Sequence, residues 1–210
     1  MWYNTSWNVL MIRRQTCMDE IRLILASQSP RRRELLALTG IPFLVDAPEV
    51  DESCTLGARD AVLELCRRKA LAAAAKHPGK VVLASDTLVA VDDVPLGKPA
   101  NEADAFRMLR SLSDRWHQVY TGVCVVSASG EVYADVDATD VRFGPMSDET
   151  IRAYIATKEP MDKACAYALQ GIAGLWIEEI RGSHTNVIGL PMTLTRQLLE
   201  KCGLHPLNIA

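Results

Sequence analysis

The sequence predicts an α/β protein with a mixed central sheet, helices on both sides and one antiparallel hairpin. Apolar runs of strand length alternate with segments of helical period along the whole chain. Two long strand-like runs, His117–Ser127 and Val132–Phe143, flank Ala128-Ser129-Gly130 as a hairpin flanks its turn. With 210 residues, 49% of them hydrophobic, the chain can bury a substantial core.

Each element has its own local reason. Leu23-Ile24-Leu25 reads as a short buried strand, and Ser29-Pro30 then supplies a cap with proline at the first helical position. Leu35, Leu36 and Leu38 give that helix an apolar face, and Gly40 with Pro42 ends it. An acidic linker, Asp46 to Glu52, leads to a helix from about Gly57 to Lys76, rich in Ala, Leu, Arg and Lys. Val81–Ala84 reads as a buried strand that Ser85-Asp86-Thr87 interrupts before Leu88–Val91 resumes. Asp92-Asp93 is a turn, Gly97-Lys98-Pro99 a second break, and Asn101 caps a helix running toward Leu112. After the hairpin, Ser147, Asp148 and Glu149 start a helix that Glu159–Lys163 breaks. Leu175-Trp176-Ile177 and Ile180 read as a strand, Gly182–Pro191 as a loop and Met192–Cys202 as a final helix. Residues 1–20 lack a regular period and read as an N-terminal extension to a single domain over 21–205.

Composition excludes several classes. A net charge of -3 leaves no basic footprint for nucleic acid or an acidic membrane surface. The cysteines, at 17, 54, 66, 124, 165 and 202, form no Cys-x-x-Cys pair and read as reduced cytosolic thiols. Neither a membrane span nor a secretory signal is expected, so the predicted location is the cytoplasm. P-loop and dinucleotide fingerprints are missing, as are metal-binding histidine spacings.

Four features remain as candidates for chemistry. Arg31, Arg32 and Arg33 fall in the first turn of a helix, where the macrodipole and unsatisfied amides are already positive. An anion such as phosphate would relieve that repulsion, and a solvated basic face is the competing reading. Asp86, following four apolar residues, is expected to emerge at the end of a core strand, where open α/β sheets place ligand crevices; a loop aspartate satisfied by amides is the alternative. Lys98, between glycine and proline, suits a fixed ammonium aimed at an oxyanion and equally suits a surface turn. Glu159–Lys163 with Tyr167 and Gln170-Gly171 combines groups able to read a nucleobase edge, and also reads as a capped short helix.

In order and spacing, the following motifs resemble the Maf family over residues 23–202: Ser27-Gln28-Ser29-Pro30-Arg31-Arg32, Ala84-Ser85-Asp86-Thr87, Gly97-Lys98-Pro99, His117–Gly122, Glu159–Lys163, Gln170-Gly171 and Asn186–Pro191. The resemblance implies a Maf-like (anticodon-hydrolase-like) fold with the cleft between two lobes. It also implies a nucleoside triphosphate pyrophosphatase that uses a divalent cation, Mg2+ or Mn2+, and assembles as a homodimer. By the same resemblance Asp86 is the proton acceptor, and Ser29, Arg32, Lys69, Lys98 and Lys163 contact phosphate. Glu49 joins Asp86 toward the metal. The set Arg31, Thr87 and Gln170 matches the branch acting on dTTP and UTP rather than on 7-methyl-GTP. A non-catalytic nucleotide-binding regulator of cell division is the rival reading. Cys165 and Ala168 depart from that branch, which usually has glycines there.

Overall fold

A computed structural model describes residues 21–208, so the expected extension over 1–20 lies outside the described residues. One seven-stranded sheet runs through the molecule. Its strands are β1 (Leu23–Leu25), β2 (Phe43–Val45), β3 (Val81–Val91), β4 (Val94–Leu96), β5 (Arg115–Val126), β6 (Val132–Phe143) and β7 (Ile177–Arg181). The order is β2-β1-β3-β5-β6-β7, with β4 paired to the far half of β3. β1 lies parallel to β2 and β3, whereas all remaining pairings are antiparallel, which makes the sheet mixed as the sequence predicts.

Among the described residues six α-helices cover it: α1 (Pro30–Ala37), α2 (Ala58–Lys76), α3 (Glu102–Leu112), α4 (Asp148–Ala156), α5 (His184–Ile188) and α6 (Met192–Lys201). Alternation along β3 decides what each helix covers. Val82 and Ala84 pack with Cys66, Ala70 and Ala73 of α2 on one side. Val81 and Leu83 pack on the other with Leu35 and Leu36 of α1 and Leu198 and Leu199 of α6. Farther along β3, Val89 and Val91 join a separate cluster with Met108, Leu109 and Leu112 of α3 and Ile151, Tyr154 and Ile155 of α4. Ser85 and Thr87 fall between the last two clusters, and the cavity described below opens there.

Several expectations need correction. Ser85-Asp86-Thr87 does not interrupt the strand: β3 is continuous over eleven residues, pairing Ser85, Asp86 and Thr87 with Val123, Gly122 and Thr121. Polar side chains leave backbone pairing intact when other elements satisfy them, so Asp86 sits in mid-strand rather than at its end. Leu38 is largely exposed, because α1 ends at Ala37 and Gly40 turns the chain away at φ +71°. The Gly182–Pro191 loop contains the short helix α5, capped by the Ser183 side chain. Leu175 and Trp176 belong to a 3-10 turn, and β7 starts only at Ile177. The strand β4, too short for a readable period, follows the Asp92-Asp93 turn, both of whose residues have positive φ.

Candidate active site

The site begins with the loop from β1 into α1. Ser29 caps α1, its side chain accepting from the Arg32 amide, and Pro30 occupies the first turn. That turn carries no acidic residue, and two of its three arginines, Arg31 and Arg32, line the cavity with the same sign of charge as the helix end; Arg33 does not line it.

At the centre stands a three-residue ion network. The Lys69 Nζ of α2 lies 2.6 Å from Asp86 Oδ1 of β3 and 2.8 Å from Glu52 Oε1 of the acidic linker. The Lys69 and Asp86 side chains are only 15% and 12% exposed. Burial pulls the Lys69 ammonium toward neutrality, but Asp86 and Glu52 outweigh it, and its pKa is raised above the ordinary value. Lys69 thus stays charged. Glu49 lines the same cavity, yet Glu52 is the linker acid that reaches Lys69.

Arg32 is held from three sides. Its Nε donates to Gly189 O (2.9 Å), Nη2 to Thr87 Oγ1 (3.0 Å) and Nη1 to Ser27 Oγ (3.3 Å). Burial lowers its pKa, with Asp86 opposing, but a guanidinium remains protonated. Thr87 Oγ1 also lies 3.0 Å from Thr121 Oγ1, and Thr121 donates its own proton to Asn186 O at 3.0 Å. The direction of the chain follows: Thr87 donates to Thr121 and accepts from Arg32, so its hydroxyl braces the arginine and has no proton left for a substrate. Gly189, at φ +120°, turns its carbonyl toward both Arg32 and Ser85 Oγ.

The opposite wall comes from Gly97-Lys98 and the segment 162–170. Among the described residues, the side chains of Arg31, Lys98 and Gln170 make no hydrogen bond or ion pair, and each lines the cavity. Lys163 pairs with neighbouring Asp162. Cys165 takes φ +55°, a conformation natural to glycine, while its amide donates to Gly97 O at 2.8 Å. Its thiol is fully buried beside α3 and α4, and burial pushes its pKa up to about 12. Ala168, the second departure, lines the cavity itself.

All ten residues singled out from the sequence, Ser29, Arg31, Arg32, Glu49, Lys69, Asp86, Thr87, Lys98, Lys163 and Gln170, therefore meet on one cavity of about 1010 Å³. Tyr167, read with the Gln170 segment, lines it too, whereas Glu52 and Ser27 were not singled out as site residues. Among the described residues no three His, Cys, Asp or Glu side chains converge as a metal site. The chemistry available is a carboxylate pair, fixed cations and an unpartnered amide.

Comparison with known proteins places this architecture. The profile of the Maf family, described as "Maf-like protein", matches residues 22–202. The chain belongs to the Maf family. Curated relatives within reach include a protein named dTTP/UTP pyrophosphatase from Symbiobacterium thermophilum, 50% identical over 87% of this chain and 94% of its own length. A protein of the same name from Anaeromyxobacter dehalogenans is 49% identical over 87% and 94%. Among solved structures, the Staphylococcus aureus Ham1 protein superposes over 85% of this chain and 98% of its own, with a TM-score of 0.52 and 17% identity. That likeness is one of fold. None of the described Maf helices is long and apolar enough to cross a membrane.

Proposed function

We propose that this Maf chain is a nucleoside triphosphate pyrophosphatase that hydrolyses dTTP and UTP to the monophosphate and pyrophosphate. One observation carries the reading: the nearly buried Lys69–Asp86 pair, with Glu52 on the same ammonium, lies in a cavity to which Arg31 and Lys98 bring unpartnered cations. A cavity built only to hold a polyanion gains nothing from carboxylates at its centre. Hydrolysis does need one, to orient water and take up its proton.

The reaction forms a bond between the water oxygen and the α phosphorus while the bond from that phosphorus to the bridging α–β oxygen breaks. Asp86 orients the water and accepts its proton, and Lys69 holds that carboxylate in place. Lys98, Arg31 and the remaining N–H groups of Arg32 receive the charge that gathers on departing pyrophosphate, together with the amides at the start of α1. Asp86 and Glu52, hard oxygen donors side by side, would hold Mg2+ or Mn2+ jointly with substrate oxygens, and the cation would add further charge neutralisation there. The free amide of Gln170 can both donate to and accept from a base edge, which suits a pyrimidine. The names of the curated relatives support the choice of dTTP and UTP.

A panel of dTTP, UTP, CTP, GTP and 7-methyl-GTP, with and without Mg2+, tests the proposal. Pyrophosphate, not orthophosphate, is expected, with dTTP and UTP turned over fastest. Asp86→Asn should lower turnover by about 100-fold or more. Tight binding without any product, made tighter by Asp86→Asn, would identify a nucleotide-binding regulator instead.

A further inference from the structure

Gln170 is exposed and unpartnered, so something else must fix where its amide points. The next residues supply that. Glu159, in the 3-10 turn Glu159–Asp162, extends its carboxylate over Gly171. Its Oε1 and Oε2 accept from the Ile172 amide at 3.0 and 3.1 Å, and Oε1 also accepts from the Tyr154 hydroxyl at 2.9 Å. Tyr154 belongs to α4 and is 2% exposed, which anchors the arrangement in the core. A Cβ at residue 171 would lie 2.1 Å from Glu159 Oε1, so the carboxylate occupies the space a side chain would take. Gly171 has φ -116° and ψ -160°, a backbone open to any residue; the glycine is there for the carboxylate and not for the turn.

We propose that Glu159 is a positioning residue for base selection: by clamping the Gly171–Ile172 backbone to Tyr154, it holds Gln170 at the angle from which its amide reads the pyrimidine. This rests on the reading of Gln170 as the base contact. Neither Glu159 nor Gly171 lines the cavity, so the clamp acts on discrimination and KM rather than on the chemical step.

The test compares kcat and KM for dTTP and GTP, by pyrophosphate release, in wild type, Gln170→Ala, Glu159→Ala, Glu159→Gln and Gly171→Ala. Glu159→Ala and Gly171→Ala are each expected to raise KM for dTTP about tenfold, with kcat within about threefold. Both should cut the dTTP-to-GTP preference about tenfold, as Gln170→Ala should too, the loss of one well-placed polar contact. Glu159→Gln keeps one acceptor oxygen, Oε1, which both the Ile172 amide and the Tyr154 hydroxyl can share, and should retain the wild-type preference. Because Gly171→Ala works by expelling the carboxylate, it should add little in the Glu159→Ala background. Should Glu159→Ala fail to fold, Gly171→Ala and Glu159→Gln carry the comparison. A preference lost in Gln170→Ala but unchanged in Glu159→Ala or Gly171→Ala overturns the clamp alone. Equal use of dTTP and GTP by wild type, or an unchanged preference in Gln170→Ala, overturns the base reading and the clamp with it.

Discussion

Burying an imidazole makes a protein sensitive to acid, and His117 is fully buried between Phe143 and Tyr167. Its Nε2 lies 2.8 Å from the Tyr167 hydroxyl, and its Nδ1 has no partner. Burial pushes its pKa down to about 4, with Asp140 opposing only in part. In the unfolded chain the same group titrates near ~6.5. Between those values the unfolded state binds the proton and the native state does not, so stability is complete above ~6.5 and is lost as pH falls toward 4, by up to about 3 kcal/mol. His117→Gln, which can still pair with Tyr167, should show a flatter fall in denaturant stability from pH 7 to pH 4 than wild type; equal slopes would remove His117 from the account. Residues of this kind show the limit of sequence reading. Arg32, Asp86 and Lys98 were legible because each is chemically conspicuous where it stands. Glu52 and the donor role of Thr87 were not, because Lys69 and Thr121, which define them, lie in other elements and no local pattern selects one acid of the linker over another.

The Lys69–Asp86 pair depends on how closely α2 approaches the sheet. Gly122 of β5 pairs with Asp86 of β3, and a Cβ there would lie 2.4 Å from the Val62 carbonyl oxygen on α2. Lys69 sits two turns further along that helix. Any side chain at 122 must push α2 outward and carry Lys69 from Asp86. Gly122→Val should cost about 1–3 kcal/mol by overpacking, and it should lower kcat/KM for dTTP although residue 122 does not line the cavity. A variant with unchanged stability and activity would show that the helix seats without this close approach. Most elements were legible because caps, proline and hydrophobic period agree locally, as at Ser29-Pro30, Asn101 and Ser147. The continuity of β3 was not. Its polar centre mimics a loop until Lys69 and Arg32, arriving from two helices on opposite sides, make Asp86 and Thr87 acceptable inside a strand.

At the scale of the molecule, the cavity opens between two apolar clusters, one built with α1 and α6, the other with α3 and α4, and α2 reaches it with Leu65 and Lys69. Arg31 and Arg32 belong to the first side, Lys98, Lys163 and Gln170 to the second. Within a chain of net charge -3, the arginines and lysines among these gather around one cavity together with the Asp86 network. A bound triphosphate would neutralise both walls at once and tie the two halves together, so its binding energy adds to the stability of the whole fold. A non-hydrolysable α,β-methylene dTTP at about 100 times its Kd should contribute about 2.7 kcal/mol, and in a chain of this size that raises Tm by roughly 5–10 °C. Lys98→Ala removes a cation from one wall only and leaves the core untouched, since Lys98 is exposed. The variant should keep the ligand-free Tm and lose a large part of the shift at the same ligand concentration. An undiminished shift would mean that the far wall does not hold the triphosphate, and that the ligand is gripped by the α1 side alone.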